Sequence, residues 1–261
     1  MYQNILTEID AGVGIVTLNR PERHNAFDDT MIAELAEIMF SMTNDPAVRV
    51  VVISSTGKSF CAGADLNWMQ RAAGYSLEEN RNDAGELAEM LRRIADCPKP
   101  VIARVQGSAY GGGVGVIAAC DMAVATFESR FALTEVKLGL IPAVIGPHVL
   151  AAIGEHYARR YMLTAEVFSA AEAYRIGLLH EMVADEAALD EAVGEWVEAV
   201  LKNGPRALAE CKALIRAIAG QPYGPNAIDY TVENIARVRV SPEGQEGLSA
   251  FLQKRKPDWA V

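Results

Sequence analysis

A cluster of glycines at residues 107–115, GSAYGGGVG, is the part of the chain where backbone atoms could do chemistry. The cluster lies between a strand-like run, PVIARVQ, and a helix-like run, VIAACDMAVA. Because glycine has no Cβ, the backbone there can come close to a ligand, and amides at a helix start favour negative charge. The cluster therefore predicts either a site for an oxyanion or phosphate, or a tight turn without a ligand.

Two common phosphate-binding patterns do not fit this cluster. A phosphate loop requires lysine and then serine or threonine after its last glycine, and no lysine follows here. A dinucleotide loop requires GxGxxG spacing and an acid about 20 residues later. The spacing in GGGVG is different, and Glu135 lies in LTEVKLG, which does not resemble a second parallel strand.

A second glycine-containing turn follows the apolar run at 48–54. Its sequence, STGKSFCAGADLNWM at 55–69, contains Gly57 and Gly63 and leads to a predicted helix that begins near Asp65. The succession of strand, small-residue turn and helix start thus occurs twice. Two such turns could each direct one backbone N–H at the same developing negative oxygen, which is how an oxyanion hole works.

A carboxylate in an apolar stretch supplies the third chemical element. Glu135 lies within FALTEVKLGLIPAVIGP at 131–147. Burial there would raise the pKa of the carboxyl towards a value useful for proton transfer. A surface salt bridge with Lys137 or an exposed helix start is the usual alternative for a single glutamate. Beside two oxyanion turns, we favour a catalytic base.

Over nearly its whole length the chain resembles the enoyl-CoA hydratase/isomerase family, also called the crotonase superfamily. The segments that carry the resemblance are VTLNRPERHNAF (16–27), FCAGADL (60–66), PVIARVQGSAYGGG (100–113), ACDMAVA (119–125), FALTEVKLGLIP (131–142), the run 152–183 and EGLSAFLQKRKPDW (246–259). The resemblance implies an α/β fold, a spiral of repeated ββα units over residues 1–200. A C-terminal helical region, 201–261, would form trimers or dimers of trimers.

The resemblance also implies an enzyme that binds acyl-CoA thioesters and stabilises an enolate oxygen. By position, the backbone N–H groups of Ala64 and Gly112 would form the oxyanion hole, with Glu135 as the acid–base group. The predicted coenzyme A contacts are the Ala62 carbonyl, which would accept from the adenine amino group, and Asp65, Leu66, Arg23 and Lys254. No cofactor beyond the coenzyme A of the substrate is expected, because the polarised thioester itself accepts the electrons.

One position departs from the pattern of well-known hydratases in the family. These carry two glutamates that activate water, and Gly115 stands where the first would be. Members that move a double bond need only one glutamate. The pattern GGGVG…LTEVKLGLIPAVI nevertheless resembles a bacterial branch that hydrates 3-methylglutaconyl-CoA, γ-carboxygeranoyl-CoA and similar branched, carboxylated enoyl-CoAs. We therefore favour hydration, with isomerisation as the alternative and a non-catalytic acyl-CoA or RNA binder as a further one.

Composition limits the remaining functions. A net charge of −10 in 261 residues disfavours a nucleic-acid surface, although Arg23 and Lys254 belong to small basic clusters that could meet the coenzyme A phosphates. Four scattered histidines without metal-binding spacing argue against a metal site. Four scattered cysteines predict reduced thiols in the cytoplasm, and the absence of a long apolar run or leader predicts no membrane association.

Periodicity and capping signals predict the elements that position these residues. The predicted elements are a hairpin at 2–9 and 13–19, a helix from Asp28 or Asp29 to about Ser41, buried strands at 48–54 and 101–106, helices that begin with capping boxes at Ser76 and Ser169, helices at 186–202 and 205–219, and a helical tail at 223–253. The apolar tail would pack on its own core or on a neighbouring subunit.

Overall fold

The computed structural model describes residues 2–221 and 224–260. In this part of the chain, the strands are β1 (Ile5–Asp10), β2 (Val13–Leu18), β3 (Val50–Ser55), β4 (Ser59–Cys61), β5 (Val101–Val105), β6 (Ser108–Tyr110), β7 (Met122–Thr126), β8 (Arg130–Ala132), β9 (Phe168–Ser169) and β10 (Glu181–Val183). The helices are α1 (Asp29–Asn44), α2 (Leu66–Ala72), α3 (Leu77–Ala95), α4 (Gly112–Ala119), α5 (Gly146–Thr164), α6 (Ala170–Arg175), α7 (Glu186–Leu201), α8 (Pro205–Ile218), α9 (Pro225–Arg239) and α10 (Pro242–Leu252). Short 3-10 turns occupy Pro21–Arg23 and Glu135–Leu138.

The strands form two sheets, and each repeat of the chain adds a strand to both. One sheet has the order β1-β2-β3-β5-β7-β10 and the other has the order β4-β6-β8-β9. Each of the pairs β3–β4, β5–β6 and β7–β8 adds one parallel strand to each sheet and is followed by one or more helices. The chain thus winds forward by one strand per repeat, which confirms the predicted spiral of ββα units.

The first elements follow their sequence signals closely. The hairpin pairs β1 with β2 in antiparallel register, from Ile5 opposite Leu18 to Asp10 opposite Val13. The Asp28 side chain accepts a hydrogen bond from the Met31 amide and so caps α1. Ser76 and Glu79 form the predicted capping box of α3. The structure thus confirms the predicted positions of the hairpin and of both helices.

Apolar content correctly identifies the central strands. All six residues of β3 are buried, and β3 lies between β2 and β5 in parallel pairing. A strand covered on both faces has no solvent-facing side, so its sequence does not alternate. The N-terminal end of β5 is fixed by Asp121, whose carboxylate accepts a hydrogen bond from the Val101 amide.

The helix-like interpretation of residues 116–125 is wrong over its second half. α4 ends at Ala119, and Met122–Thr126 form strand β7 between β5 and β10. An apolar run without periodicity suits a buried helix and a buried strand equally well, so composition alone could not separate them. Cys120 is already in extended conformation and marks the boundary.

The C-terminal part is helical, as predicted, but the tail contains two helices in place of one stretch. α9 ends at Arg239, and Pro242 occupies the first turn of α10, where its missing N–H does no harm. Tyr223, the first residue of the predicted tail, lies outside the described residues. α8 is attached to the core by an ion pair between Lys212 and Asp121. The domain boundary at residue 200 stays a prediction.

Among the helices of residues 2–221 and 224–260, none combines the length and the apolarity that crossing a bilayer requires. The buried residues instead form one large cluster around β3, β5, α1 and α4 and a smaller one between the six-stranded sheet and α7.

We predict that Gly107→Ala lowers the free energy of unfolding by more than about 2 kcal/mol, because overpacking against a rigid neighbour is costly. A Cβ on Gly107 would lie 2.2 Å from the Lys58 carbonyl oxygen, which is backbone and cannot rotate away. Gly85→Ala is the matched control, since nothing lies within 4 Å of a Cβ there and residue 85 is inside a helix. Alanine should stabilise that helix by up to about 1 kcal/mol. Equal denaturant midpoints for both variants would contradict the packing.

Candidate active site

The two glycine-containing turns lie against each other. A Cβ on Gly113 would lie 2.7 Å from the Cys61 carbonyl oxygen, and a Cβ on Gly111 would lie 4.0 Å from the Cα of Gly63. The first of these distances leaves no space for a side chain at Gly113, and the second is an ordinary van der Waals contact between the turns. The structure therefore brings together the two turns that the sequence analysis paired.

Phe27 connects the two predicted amide donors. Its N–H donates to the Gly63 carbonyl at 2.7 Å, and its carbonyl accepts from the Asp65 N–H at 2.8 Å. In this parallel bridge Phe27 bonds to the carbonyl of the residue before Ala64 and to the amide of the residue after it. The N–H of Ala64 itself therefore points away from Phe27. The Phe27 ring in turn lies 3.2 Å from where a Cβ of Gly112 would be.

Both predicted donors are available to a ligand. Within residues 2–221 and 224–260, neither the Ala64 N–H nor the Gly112 N–H donates to another group of the protein. Gly112 is the first residue of α4, so its N–H has no partner inside the helix. Ala64 is solvent-exposed. Two free amides beside one residue can hold an oxyanion, and each such donor typically contributes roughly 3–4 kcal/mol to the stability of a transition state.

Glu135 begins the 3-10 turn that follows β8, and its carboxyl lies against the same glycines. Its Oε1 would lie 3.1 Å from a Cβ on Gly111, the residue before the second donor. Gly111 has φ of 49°, a conformation that glycine adopts without strain. The carboxyl of Glu135 therefore lies against the residue that precedes Gly112, at the start of α4.

The environment of Glu135 is apolar. Its Oε2 is buried and finds no hydrogen-bond partner in the described part of the chain. Burial raises the pKa of the Glu135 carboxyl, and only a hydrogen bond with its own backbone opposes this. No ion pair with Lys137 is found among the described residues, so the salt-bridge interpretation does not hold. A raised pKa suits a group that takes and returns a proton near neutral pH.

Position 115 has no room for a second acid. A Cβ on Gly115 would lie 2.3 Å from Cγ2 of Ile145 and 2.8 Å from its Cβ. Ile145 is buried, with 3% of its surface exposed, and precedes α5. The side chain of Ile145 thus fills the space that a glutamate at 115 would need.

The residues predicted to bind coenzyme A have different surroundings. The Ala62 amide donates to the His24 carbonyl, while no donor to the Ala62 carbonyl is found in residues 2–221 and 224–260. Leu66 is exposed at 75% and opens α2. Arg23 is exposed in the turn Pro21–Arg23, close enough to Asp65 for its charge to lower the pKa of that carboxyl.

Asp65 has its carboxylate occupied by the protein. It accepts from the amides of Asn67 and Trp68 and lies 3.3 Å from Arg20 Nη2. Burial would raise the pKa of Asp65, but these amides and the Arg20 charge outweigh burial and lower it. Asp65 therefore caps α2 and fixes the segment, and it would influence a ligand through the position of that segment.

Lys254 lies just beyond α10, where its amide donates to the Phe251 carbonyl. In the described part of the chain no hydrogen bond or ion pair joins it to the segment from Ala62 to Leu66. Its predicted role at the coenzyme A phosphates stays a prediction.

Cys61 borders the site but is not a nucleophile. It is fully buried, and burial raises the pKa of its thiol to about 12, so the thiolate is scarce at neutral pH. Its Sγ lies 3.9 Å from the Gly63 carbonyl oxygen. A buried thiol in this position packs against the neighbouring core.

Comparison with known proteins decides the family. The chain matches the family described as Enoyl-CoA hydratase/isomerase over residues 8–261. The chain belongs to this family. It is an enzyme of the crotonase superfamily, and the two turns and Glu135 form its candidate active site.

Relatives with different names share this fold. A crystal structure of an enoyl-CoA hydratase from Shewanella pealeana superposes with a TM-score of 0.96 at 42% identity, covering 98% of this chain and 96% of that one. The crotonyl-CoA hydratase of Syntrophomonas wolfei is 32% identical, over 99% of this chain and 98% of that protein. The peroxisomal Delta(3,5)-Delta(2,4)-dienoyl-CoA isomerase of Arabidopsis thaliana is 31% identical, over 96% and 94%.

Two residues of the site were not found by sequence reasoning. Phe27 and Ile145 belong to segments far from the glycine turns in sequence, and each contacts a glycine whose missing side chain makes room for it. The glycines themselves were the available signal, since each indicates a close neighbour without saying which residue that is.

We predict that Glu135→Gln raises the melting temperature by a few degrees near neutral pH. A carboxyl whose pKa is raised by folding destabilises the folded state once pH rises above its ordinary value of 4.5, and the amide cannot ionise. The gain should shrink as pH falls below that value. The exposed Glu8→Gln serves as control and should show no such pH-dependent gain. A melting temperature of Glu135→Gln below wild type throughout would contradict the assignment.

Proposed function

We propose that the protein is an enoyl-CoA hydratase, which adds water across the 2,3 double bond of an enoyl-CoA thioester. The observation that carries this proposal is a buried carboxyl close to two backbone amides that find no partner in the described part of the chain. The thioester carbonyl oxygen binds between the N–H groups of Ala64 and Gly112. Glu135 removes a proton from water while the water oxygen forms its bond to C3.

The electrons of the double bond then move onto the thioester oxygen. The two amides stabilise this enolate, because they are fixed in place before charge develops. Glu135, now protonated, is the neighbouring group that can deliver a proton to C2, which restores the carbonyl. The raised pKa of Glu135 lets one carboxyl take up and release this proton in turn. The reaction draws on no cofactor beyond the coenzyme A of the substrate.

Coenzyme A would lie along the segment that follows β4. The Ala62 carbonyl, which lacks a donor in the described part of the chain, accepts from the adenine amino group. The exposed Leu66 offers an apolar contact. Arg23 and Lys254 supply positive charge for the phosphates, while Asp65 holds the segment by capping α2.

We propose a branched enoyl-CoA with a second carboxylate, such as 3-methylglutaconyl-CoA, as the substrate class. A carboxylate on the acyl group requires a cation, and Arg71 and Lys137 are the candidates. The charge of Arg71 is already compensated by Asp29 at 2.9 Å. Lys137 lies two residues after Glu135 in the same turn, is exposed, and has no ion pair among residues 2–221 and 224–260. These facts favour Lys137.

Double-bond isomerisation is the second candidate, because the Glu135 carboxyl alone can move a proton from C4 to C2 without water. The absence of room for an acid at 115 and the likeness to the Arabidopsis isomerase support it. The same oxyanion hole would serve both reactions.

We also propose that the chain forms a trimer or a dimer of trimers through its last helices. α8, α9 and α10 carry large apolar side chains at the surface. These are Ile215, Ile218, Ile228, Val232, Ile235, Leu248, Phe251 and Leu252. An exposed apolar surface of this kind commonly marks a contact between subunits.

We predict that Glu135→Gln lowers kcat by roughly 10²–10⁴ with KM little changed, since the amide keeps the shape of the site but cannot accept a proton. Glu8→Gln, far from the glycine turns in sequence and exposed, should turn over like wild type. Steady-state kinetics with 3-methylglutaconyl-CoA and crotonyl-CoA measures both variants. Wild-type turnover by Glu135→Gln would remove Glu135 from the mechanism.

Reaction in ¹⁸O-water separates the two candidate reactions. Mass spectrometry of the product should show one ¹⁸O in the acyl group if water adds to C3. An unlabelled product with a shifted double bond would establish isomerisation instead.

We predict that Lys137→Ala raises KM for carboxylated enoyl-CoAs roughly three- to tenfold, the size expected for a partly exposed ion pair. KM for crotonyl-CoA, which has no second carboxylate, should stay unchanged. Arg71→Ala is the matched control, and we expect it to affect neither substrate. Equal effects of Lys137→Ala on both substrates would contradict recognition of the acyl carboxylate.

A further inference from the structure

The contact between Ile145 and Gly115 involves the rigid part of a side chain. Besides the 2.3 Å to Cγ2, a Cβ on Gly115 would lie 2.8 Å from Cβ and 3.8 Å from Cα of Ile145. Isoleucine branches at Cβ, so rotation about χ1 moves one branch away only by moving the other in. The Ile145 carbonyl also accepts from the Val149 amide, which fixes the backbone at the start of α5.

Ile145 and Glu135 cover consecutive turns of one helix. The Gly115 amide donates to the Gly111 carbonyl at 3.2 Å, so these two glycines lie one above the other. The Glu135 carboxyl lies over Gly111 and the Ile145 side chain lies over Gly115. Ile145 therefore lies one helical turn further along α4 than the Glu135 carboxyl.

Charged groups around this carboxyl are few. The sequence of α4, GGVGVIAA, contains no titratable side chain. On α5, His148 is half-buried, its pKa is lowered by burial, and the charge it responds to is that of Asp96. Lys137, on the same turn as Glu135, is exposed. Tyr110 of β6 precedes Gly111.

We propose that Ile145 is a positioning residue that restricts this active site to a single acid. It excludes any side chain from position 115, and it keeps water from the buried oxygen of Glu135. The whole proton exchange with the substrate must then pass through one carboxyl. This inference rests on the proposed role of Glu135 as the base.

The first test compares Ile145→Ala with Ile145→Val, which keeps the β-branch and the contact over Gly115. The readout is the rate at which the C2 proton of butyryl-CoA exchanges in D₂O, measured by NMR over a range of pH. Removal of that proton uses the oxyanion hole and Glu135, whether the natural reaction is hydration or isomerisation. Ile145→Ala should admit water to Glu135 and move the acidic limb of the profile to lower pH by about half a unit to one unit, a three- to tenfold change in rate on that limb. Ile145→Val should keep the wild-type limb. An unmoved limb in a folded Ile145→Ala protein would overturn the proposal.

The second test needs no activity and is a double-mutant cycle of Gly115→Ala and Ile145→Gly. Alanine usually stabilises a helix relative to glycine, so a loss of several degrees in melting temperature for Gly115→Ala would be due to Ile145. The double variant should lose less than the sum of the two single changes. Additive losses, or a Gly115→Ala protein as stable as wild type, would overturn the proposal. Wild-type protein that shows this coupling but exchanges no proton would instead refute the proposed function.

Discussion

Direct contact between the two glycine-containing turns is the constraint on which the site depends. Gly107 meets the Lys58 carbonyl and Gly113 meets the Cys61 carbonyl at distances that leave no space for a Cβ. These contacts set β6 beside β4 in the four-stranded sheet and bring the start of α4 up to the segment that leads into α2. Phe27 then fits between Ala64 and Gly112, so the position of each amide follows from backbone packing. Glycine is required where the two backbones meet, while the side chains of Phe27 and Asp65 hold the turns in place.

The polar groups that give the candidate site its chemistry also lower the stability of the folded protein. Among residues 2–221 and 224–260, two amides find no partner and one carboxyl oxygen is buried without a hydrogen bond. Folded proteins leave few such groups unsatisfied, because each costs free energy when water is removed. Here the surrounding core, with β3 and β5 buried along most of their length, holds them in place. A ligand oxygen that accepts from the two amides recovers their part of this cost.

Sequence reasoning named the candidate groups of the site but not the contacts that arrange them. Glycine turns, capping boxes and apolar strands are local signals, and they placed Gly112 at the start of a helix and Ala64 in the turn before another helix, where the structure has them. The split of residues 116–125 into the end of α4 and β7 was missed, because apolar content is the same for a buried helix and a buried strand. The contacts of Ile145 and Phe27 depend on tertiary packing, and the occupation of the Asp65 carboxylate depends on Arg20, distant in sequence. No local pattern records these.

Arg20 controls the charge around the two donors. Two carboxylates, Asp28 and Asp65, lie near the amides and would oppose a developing negative charge if they were uncompensated. Both are instead held by Arg20, at 2.9 Å and 3.3 Å, and each also accepts from amides at a helix start, α1 for Asp28 and α2 for Asp65. Arg20 additionally donates to the Ala26 carbonyl, which fixes the segment that carries Phe27. One arginine therefore neutralises the nearby acids and positions the residue between the donors, whereas no ion pair to Glu135 is found in residues 2–221 and 224–260.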